Sequence, residues 1–383
     1  MKRIFFAPGR INLIGEHTDT TGGLVMPAAI DAGTTGVVNV HNGETITFVS
    51  RSFPGRLQID RRALKHGEVR VVDRSDDGWG EYVRGAIIAW LEVASAAGRP
   101  IADLPGMNVE LVSDLPVGAG LSSSASLTVL IALIFDTFGQ TALGPEHWAK
   151  IGQRAENETV GVACGLMDHF AASYGKQNHA LFLDTHTLAY EWIPFSPEPY
   201  VLVVIDSGKR RSLRHSAYND RLNEVEQALS WIRRHRPTLT HLGALRPEEW
   251  AAIRPLLPES APLRRVDHIV AENDRVLKAR DALRSGDLRT FAALLTATHR
   301  SLQSLFEVTR PEIDALVELL LKAPGVLGAR MMGAGFGGSV LALVHRDQGP
   351  ALIADVGPRY RHLTGLEAKF YRFSLGDGAR ERT

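Results

Sequence analysis

Apolar residues early in the chain recur at every second position, and across 263–321 they recur at every third or fourth. The first pattern predicts strands at 4–7, 24–39, Thr45–Ser50 and 107–112, with Ile46, Phe48, Leu57 and Ile59 carrying the alternation. Helices are predicted at 82–97, where Val83, Ile87, Trp90 and Leu91 share a face, at 125–138 and at 147–157. Short strands follow at 181–184, 190–193 and 201–205. Three amphipathic helices, 263–283, 288–305 and 312–321, then precede a strand at 339–344. Breakers punctuate this order. Pro8-Gly9-Arg10 is expected to end the first strand, Gly22-Gly23 to turn, 73–80 to be a charged loop, 237–262 to be short helices or loops, and 376–383 to fray. Sheet followed by helix-rich sequence is an α+β pattern.

At 383 residues the chain exceeds the size at which one core keeps growing, so two domains are expected, 1–195 and 196–383. Its 43 basic and 43 acidic residues cancel, so no global field points to nucleic acid or an anionic membrane. No stretch approaches the length of a membrane span, and the apolar run after Met1-Lys-Arg is too short for a signal sequence. Cys164 is the sole cysteine, which excludes an internal disulfide and a cysteine-based zinc site and fits a cytoplasmic location.

Two stretches concentrate hydrogen-bonding chemistry. Arg10, Asn12, Glu16, His17, Thr18 and Asp19 crowd into ten residues, as a loop lining a polar ligand would. Asp114-Leu-Pro-Val-Gly-Ala-Gly-Leu-Ser-Ser-Ser-Ala-Ser126 places glycines and serines between a predicted strand and a predicted helix. Gly118 and Gly120 permit unusual backbone, and Ser122, Ser123 and Ser124 offer hydroxyls and N-cap chemistry, so the run reads as an anion cradle at a helix start. Asp168 is the one carboxylate in the apolar run 160–174, where it is either a solvent-facing helix residue or a positioned base. Trp79 lies outside its helix stripe and either closes the core or offers a plane to a ring. Gly333-Ala-Gly-Phe-Gly-Gly338 precedes a strand, the reverse of the order a dinucleotide fold needs, and no P-loop is present.

Three landmarks in order, Gly9-Arg-Ile-Asn-Leu-Ile-Gly-Glu-His-Thr-Asp19, Leu115-Pro-Val-Gly-Ala-Gly-Leu-Ser-Ser-Ser-Ala125 and Gly333-Ala-Gly-Phe-Gly-Gly338, resemble the GHMP small-molecule kinases and, within them, the galactokinase branch. Ala155-Glu156-Asn157, Cys164-Gly165-Leu-Met-Asp168, Trp79-x-x-Tyr82 and 207–218 agree in relative place. The resemblance implies the GHMP kinase fold: an N-terminal domain like ribosomal protein S5 domain 2 and a C-terminal α+β domain, with ATP and sugar between them. It implies that Asp168 is the base and Arg10 its charge partner, and that Glu16, His17, Asp19, Gly165, Asp168 and Tyr218 bind the sugar. Trp79, Tyr82, Gly118, Gly120, Leu121, Ser122, Ser123 and Ser124 would bind ATP, and Ser124 and Glu156 would hold Mg²⁺. Three places depart from the branch: Thr20 stands where Tyr is usual, His169 where Gln is usual, both on the sugar side, and Arg211, Arg214 and His215 add charge before Tyr218. Galactose is the expected substrate, a uronic acid the alternative, and a non-catalytic sugar sensor a third reading.

Overall fold

The computed structural model describes residues 1–76, 78–116, 118–210 and 214–382, without the side chains of 214–216. Arg211 and the side chains of Arg214 and His215 therefore lie outside the described residues. Among the described residues, nine strands form the larger sheet. In chain order β1 is Lys2–Ile14, β2 Leu24–His41, β3 Thr45–Ser50, β4 Arg56–Asp60, β5 Val71–Arg74 and β6 Gly106–Ser113, and the path runs from Arg380–Arg382 through β1, β2, β6, β3 and β4 to β5. His179–Asp184 branches from β2 and pairs in turn with Tyr190–Pro194. Among these described pairs only β3 and β6 run parallel.

Pro8-Gly9-Arg10 does not end the first strand. Lys2–Ile14 continues through it, with register shifts between Pro8 and Arg10 and between Asn12 and Ile14. A bulge tolerates the missing proline N–H and re-aims the neighbouring side chains. The opposite strand carries Gly33, where an added Cβ would lie 2.2 Å from the Ala7 carbonyl oxygen. Nor does the chain end fray: Arg380–Arg382 pairs with β1, and the Arg382 guanidinium lies 3.6 Å from the centroid of Phe6. The last residues thus belong to the first sheet, across the 195/196 division.

Helices Trp79–Ala96 and Ser123–Gly139 cover this sheet. The second is apolar on nearly every side, so it is buried all round, from Thr128 through Asp136. A smaller antiparallel sheet joins Val326–Met332, Ser339–His345, Tyr200–Asp206 and Lys369–Arg372, in that order. The glycine run 333–338 turns between two antiparallel neighbours, which agrees with the rejection of a dinucleotide fold. An apolar seam joins the halves: Ile11, Leu13 and Met26 share a core cluster with Val276, Phe291, Leu295 and Leu341. Functional loops from both halves meet beside that seam.

Candidate active site

The polar loop after β1 is held from the other half of the chain. Glu272, fully buried on helix Ala261–Arg284, accepts hydrogen bonds from the backbone N–H of Gly15 (2.8 Å) and Glu16 (3.2 Å), and from Thr298 Oγ1 and Arg275 Nε. Burial alone would push its carboxyl up, but Arg275, His268 and Arg330 bring it down to about 2, so it stays ionised. Asn273 accepts from Leu24 N at 2.8 Å, and His268 Nε2 donates to the Glu16 carbonyl at 3.0 Å. Glu16 itself accepts from buried Arg330 (2.7 Å) and from Gly333 N (2.7 Å). Glu272, Asn273, His268 and Arg330 were not legible in the sequence, because the loop they brace lies more than two hundred residues away and no local pattern marks them.

So fixed, the loop presents His17 and Asp19 to a cavity that also exposes Arg10, Glu16, Glu156, Gly165, Asp168, Tyr218 and 333–336. His17 has φ +63°, stacks on Phe306 at 4.4 Å and keeps a buried Nε2 without a hydrogen-bond partner. Burial, with His268 and Arg330 nearby, brings it down to about 4, so the ring is neutral. Such an unpartnered nitrogen, on a ring whose centroid lies 6.0 Å from that of Tyr218, is suited to a ligand hydroxyl. Tyr218 keeps its proton, chiefly because burial pushes its phenol up. Gly165 packs directly on Asp19: an added Cβ would fall 2.0 Å from Oδ2.

Asp19 is partly exposed to the cavity, and burial followed by the charges of Asp168 and Glu16 pushes its carboxyl up to about 7. Its folded pKa thus exceeds the unfolded value of about 4. Between the two, the folded state binds the extra proton, so this group's effect on stability worsens as pH rises and is fully adverse above about 7. Asp19→Asn is therefore expected to raise the melting temperature at pH 8, with a gain that vanishes near pH 4; thermal scans across that range check it. The same ionisation is expected to put an acidic limb near pH 7 on kcat/KM for the sugar, absent in Asp19→Asn.

Asp168 is clamped. Arg10 Nε and Nη2 donate to its two carboxylate oxygens at 2.7 and 2.9 Å, a bidentate fork, and the Ser122 hydroxyl donates to Oδ2. Burial would push its carboxyl up, but Arg10, Ser122 and His169 outweigh it and hold it below the usual carboxylate range. The side chain remains 29% exposed, toward the cavity, so an incoming hydroxyl can reach it. Arg10 is anchored in turn: Nη1 donates to the Gly120 carbonyl at 2.7 Å, and its backbone N–H to Leu121 O at 3.1 Å.

The glycine and serine run differs from expectation in one respect. Helix Ser123–Gly139 begins two residues earlier than predicted, and Ser122, at its N-cap position with φ +58°, makes no side-chain cap. Its hydroxyl is turned to Asp168 instead, linking loop to carboxylate. Gly118 and Gly120 adopt φ +82° and +70°, and Ser339 Oγ fixes the loop by donating to Ala119 O at 2.7 Å. A second cavity is lined by Trp79, Phe53, Gly78, Leu115, Ser123 and Leu127. Trp79 is a buried wall whose indole N–H donates to the Pro54 carbonyl. Tyr82 and Ser124 line both cavities, which therefore adjoin.

Ser124 lines both cavities and Glu156 the first of them, each with an oxygen ligand, a set that fits Mg²⁺. Glu156 sits in a wide π-type turn, Ala155–Val160, where Val162 N–H bonds to its carbonyl. His169 is not on the sugar side. It is buried against Gly152, with Nε2 3.0 Å from Glu156 Oε1. Thr20 is exposed and lies outside both sets of described lining residues. Burial and the carboxylates of Glu156, Asp168 and Asp19 push the Cys164 thiol up, so it is not an activated nucleophile.

Residues 81–176 match the GHMP kinases N terminal domain and residues 279–361 the GHMP kinases C terminal domain. Residues 2–40 match the galactokinase galactose-binding signature. The fold superposes on the Lactococcus lactis galactokinase complexed with galactose with a TM-score of 0.90, at 37% identity, covering 99% of this chain and 95% of that one. A Methanococcus jannaschii mevalonate kinase, at 18% identity and a TM-score of 0.64 with 98% of each chain covered, shares the fold alone. Fold and matches together define a GHMP kinase. Among its relatives, the galactokinase of Halalkalibacterium halodurans is 40% identical over 99% of this chain and 92% of that protein. That of Enterococcus faecalis is 40% identical over 98% and 94%. The chain belongs to the galactokinase family.

Proposed function

We propose that this protein transfers the γ-phosphoryl group of ATP to the anomeric hydroxyl of galactose, in the cytoplasm. The observation that carries the reading is Asp168, held by Arg10 and Ser122 where the sugar-side cavity meets the glycine and serine loop. His17, Asp19, Gly165 and Tyr218 hold the sugar, with Glu16 bracing the wall. The base of ATP lies against Trp79 and Tyr82, and its phosphates lie along Gly118, Gly120, Leu121, Ser122, Ser123 and Ser124. Asp168 orients the attacking hydroxyl and accepts its proton as the bond to phosphorus forms, while Arg10 keeps the carboxylate aligned. Ser124 and Glu156 would hold Mg²⁺, which would supply charge neutralisation on the phosphates. Positioning and charge stabilisation supply most of the rate in such a transfer.

ADP release measured with galactose, N-acetylgalactosamine, arabinose, galacturonate and glucuronate tests the assignment. Galactose is expected to give the highest kcat/KM, because Glu16, Asp19 and Asp168 would repel a sugar carboxylate. A win for galacturonate that is lost in Arg211→Ala would replace galactose with a uronic acid and leave the kinase chemistry standing. Ser124→Ala and Glu156→Gln are each expected to raise the Mg²⁺ concentration for half-maximal turnover, with little change in sugar KM. Unchanged Mg²⁺ dependence in both would move the metal elsewhere.

A further inference from the structure

Glu156, Cys164 and His169 each bring one ligand atom to within 4.8 Å of the others, the sole such cluster among the described residues. Their donors are oxygen, sulfur and nitrogen, the set a borderline-soft cation prefers and Mg²⁺ does not. Glu156 and Cys164 open onto the sugar-side cavity, which gives an ion its way in. His169 is 1% exposed, pinned against Gly152, and its Nδ1 is buried without a hydrogen-bond partner. Cys164 Sγ rests 3.2 Å from Asn157 Oδ1, in a stretch bounded by Gly161, with φ +79°, and Gly165.

We propose that these three side chains, one cysteine among mixed ligands and so not the cysteine-based site that a sole cysteine excludes, form an inhibitory site for Zn²⁺, which would take Glu156 away from Mg²⁺. Tetrahedral zinc ligands stand about 3.3–3.8 Å apart. Glu156 Oε1 and His169 Nε2, 3.0 Å apart, must therefore open slightly as the ion replaces their hydrogen bond, and Cys164, on its non-helical stretch, is the member that adjusts to complete the set. On binding, the thiol proton leaves to solvent and His169 shifts its ring proton from Nε2 to Nδ1. Three protein ligands leave a fourth position for water. The proposal rests on the kinase reading only for the competition with Mg²⁺; the site itself does not.

Co²⁺ is the spectroscopic probe, added to the full chain without nucleotide or sugar. The expected result is one equivalent bound, with the near-ultraviolet absorption of a cobalt–thiolate bond, displaced by Zn²⁺. Cys164→Ala is expected to abolish that absorption, and His169→Gln to weaken Zn²⁺ binding, by calorimetry, at least about 10-fold. Zn²⁺ should inhibit sugar phosphorylation less as Mg²⁺ rises, and His169→Gln should resist it. Absence of the thiolate absorption in the parent protein, or equal Zn²⁺ affinity in all three proteins, overturns the site. Thiolate absorption in a protein that phosphorylates no sugar would instead overturn the kinase reading and leave the site intact.

Discussion

Asp168→Asn is expected to lower kcat by roughly 10²–10⁴-fold, the usual contribution of a general base, while sugar and ATP affinities change little. The amide keeps the volume of the carboxylate and can still accept from Arg10 Nε, but it cannot take a proton from the attacking hydroxyl. Its NH₂ would face donors, because Arg10 Nη2 and the Ser122 hydroxyl both point at Oδ2. The side chain will therefore settle with one donor displaced, and Arg10, 5% exposed, loses its counter-charge. Some loss of melting temperature follows from that unpaired guanidinium. Single-turnover phosphorylation at saturating ATP and sugar separates chemistry from binding, and ligand-induced thermal shifts show whether both sites survive. Near-wild-type turnover in a folded variant would remove Asp168 from the role of base.

Much of this site was legible because its residues sit in compact runs. Arg10, Glu16, His17 and Asp19 lie within ten positions, and Gly165 and Asp168 within four. All of them line one cavity. Long, strongly periodic elements were legible for the same local reason, so Thr45–Ser50 has the predicted bounds and Ser123–Gly139 misses them only at its ends. Three things were hidden. A proline inside a strand reads as a break unless the opposite strand is known to carry the glycine that accommodates a bulge. Ser122 reads as a cap because three successive serines before an apolar run are locally equivalent, and only Asp168, 46 positions away, distinguishes one of them. The Glu272 brace and the turning of His169 toward Glu156 are contacts between separate elements, outside the reach of any window of sequence.

Gly165→Ala is expected to raise the sugar KM by roughly two orders of magnitude, on the scale of a catalytic or binding group misplaced by about 1 Å, with the ATP KM and melting temperature nearly unchanged. An ideal Cβ at Gly165 would stand 2.0 Å from Asp19 Oδ2, 2.5 Å from Cγ and 3.0 Å from Cβ. Oδ2 and Cγ are the far end of a short side chain facing a cavity, so their collision is relieved by swinging Asp19 aside, and the Cβ contact asks only for a shift of a few tenths of an ångström. Gly165 is also not among the residues with positive φ, so alanine brings no backbone strain. Stability should therefore hold while the sugar loses an acceptor and part of its space. A double-mutant cycle isolates the route: if Gly165→Ala acts through Asp19, its effect on sugar KM should largely disappear in an Asp19→Ala background, where no carboxylate is left to displace. An equal rise in the ATP KM, or full additivity of the two substitutions, would mean that Gly165 shapes the site in some way other than by making room for Asp19.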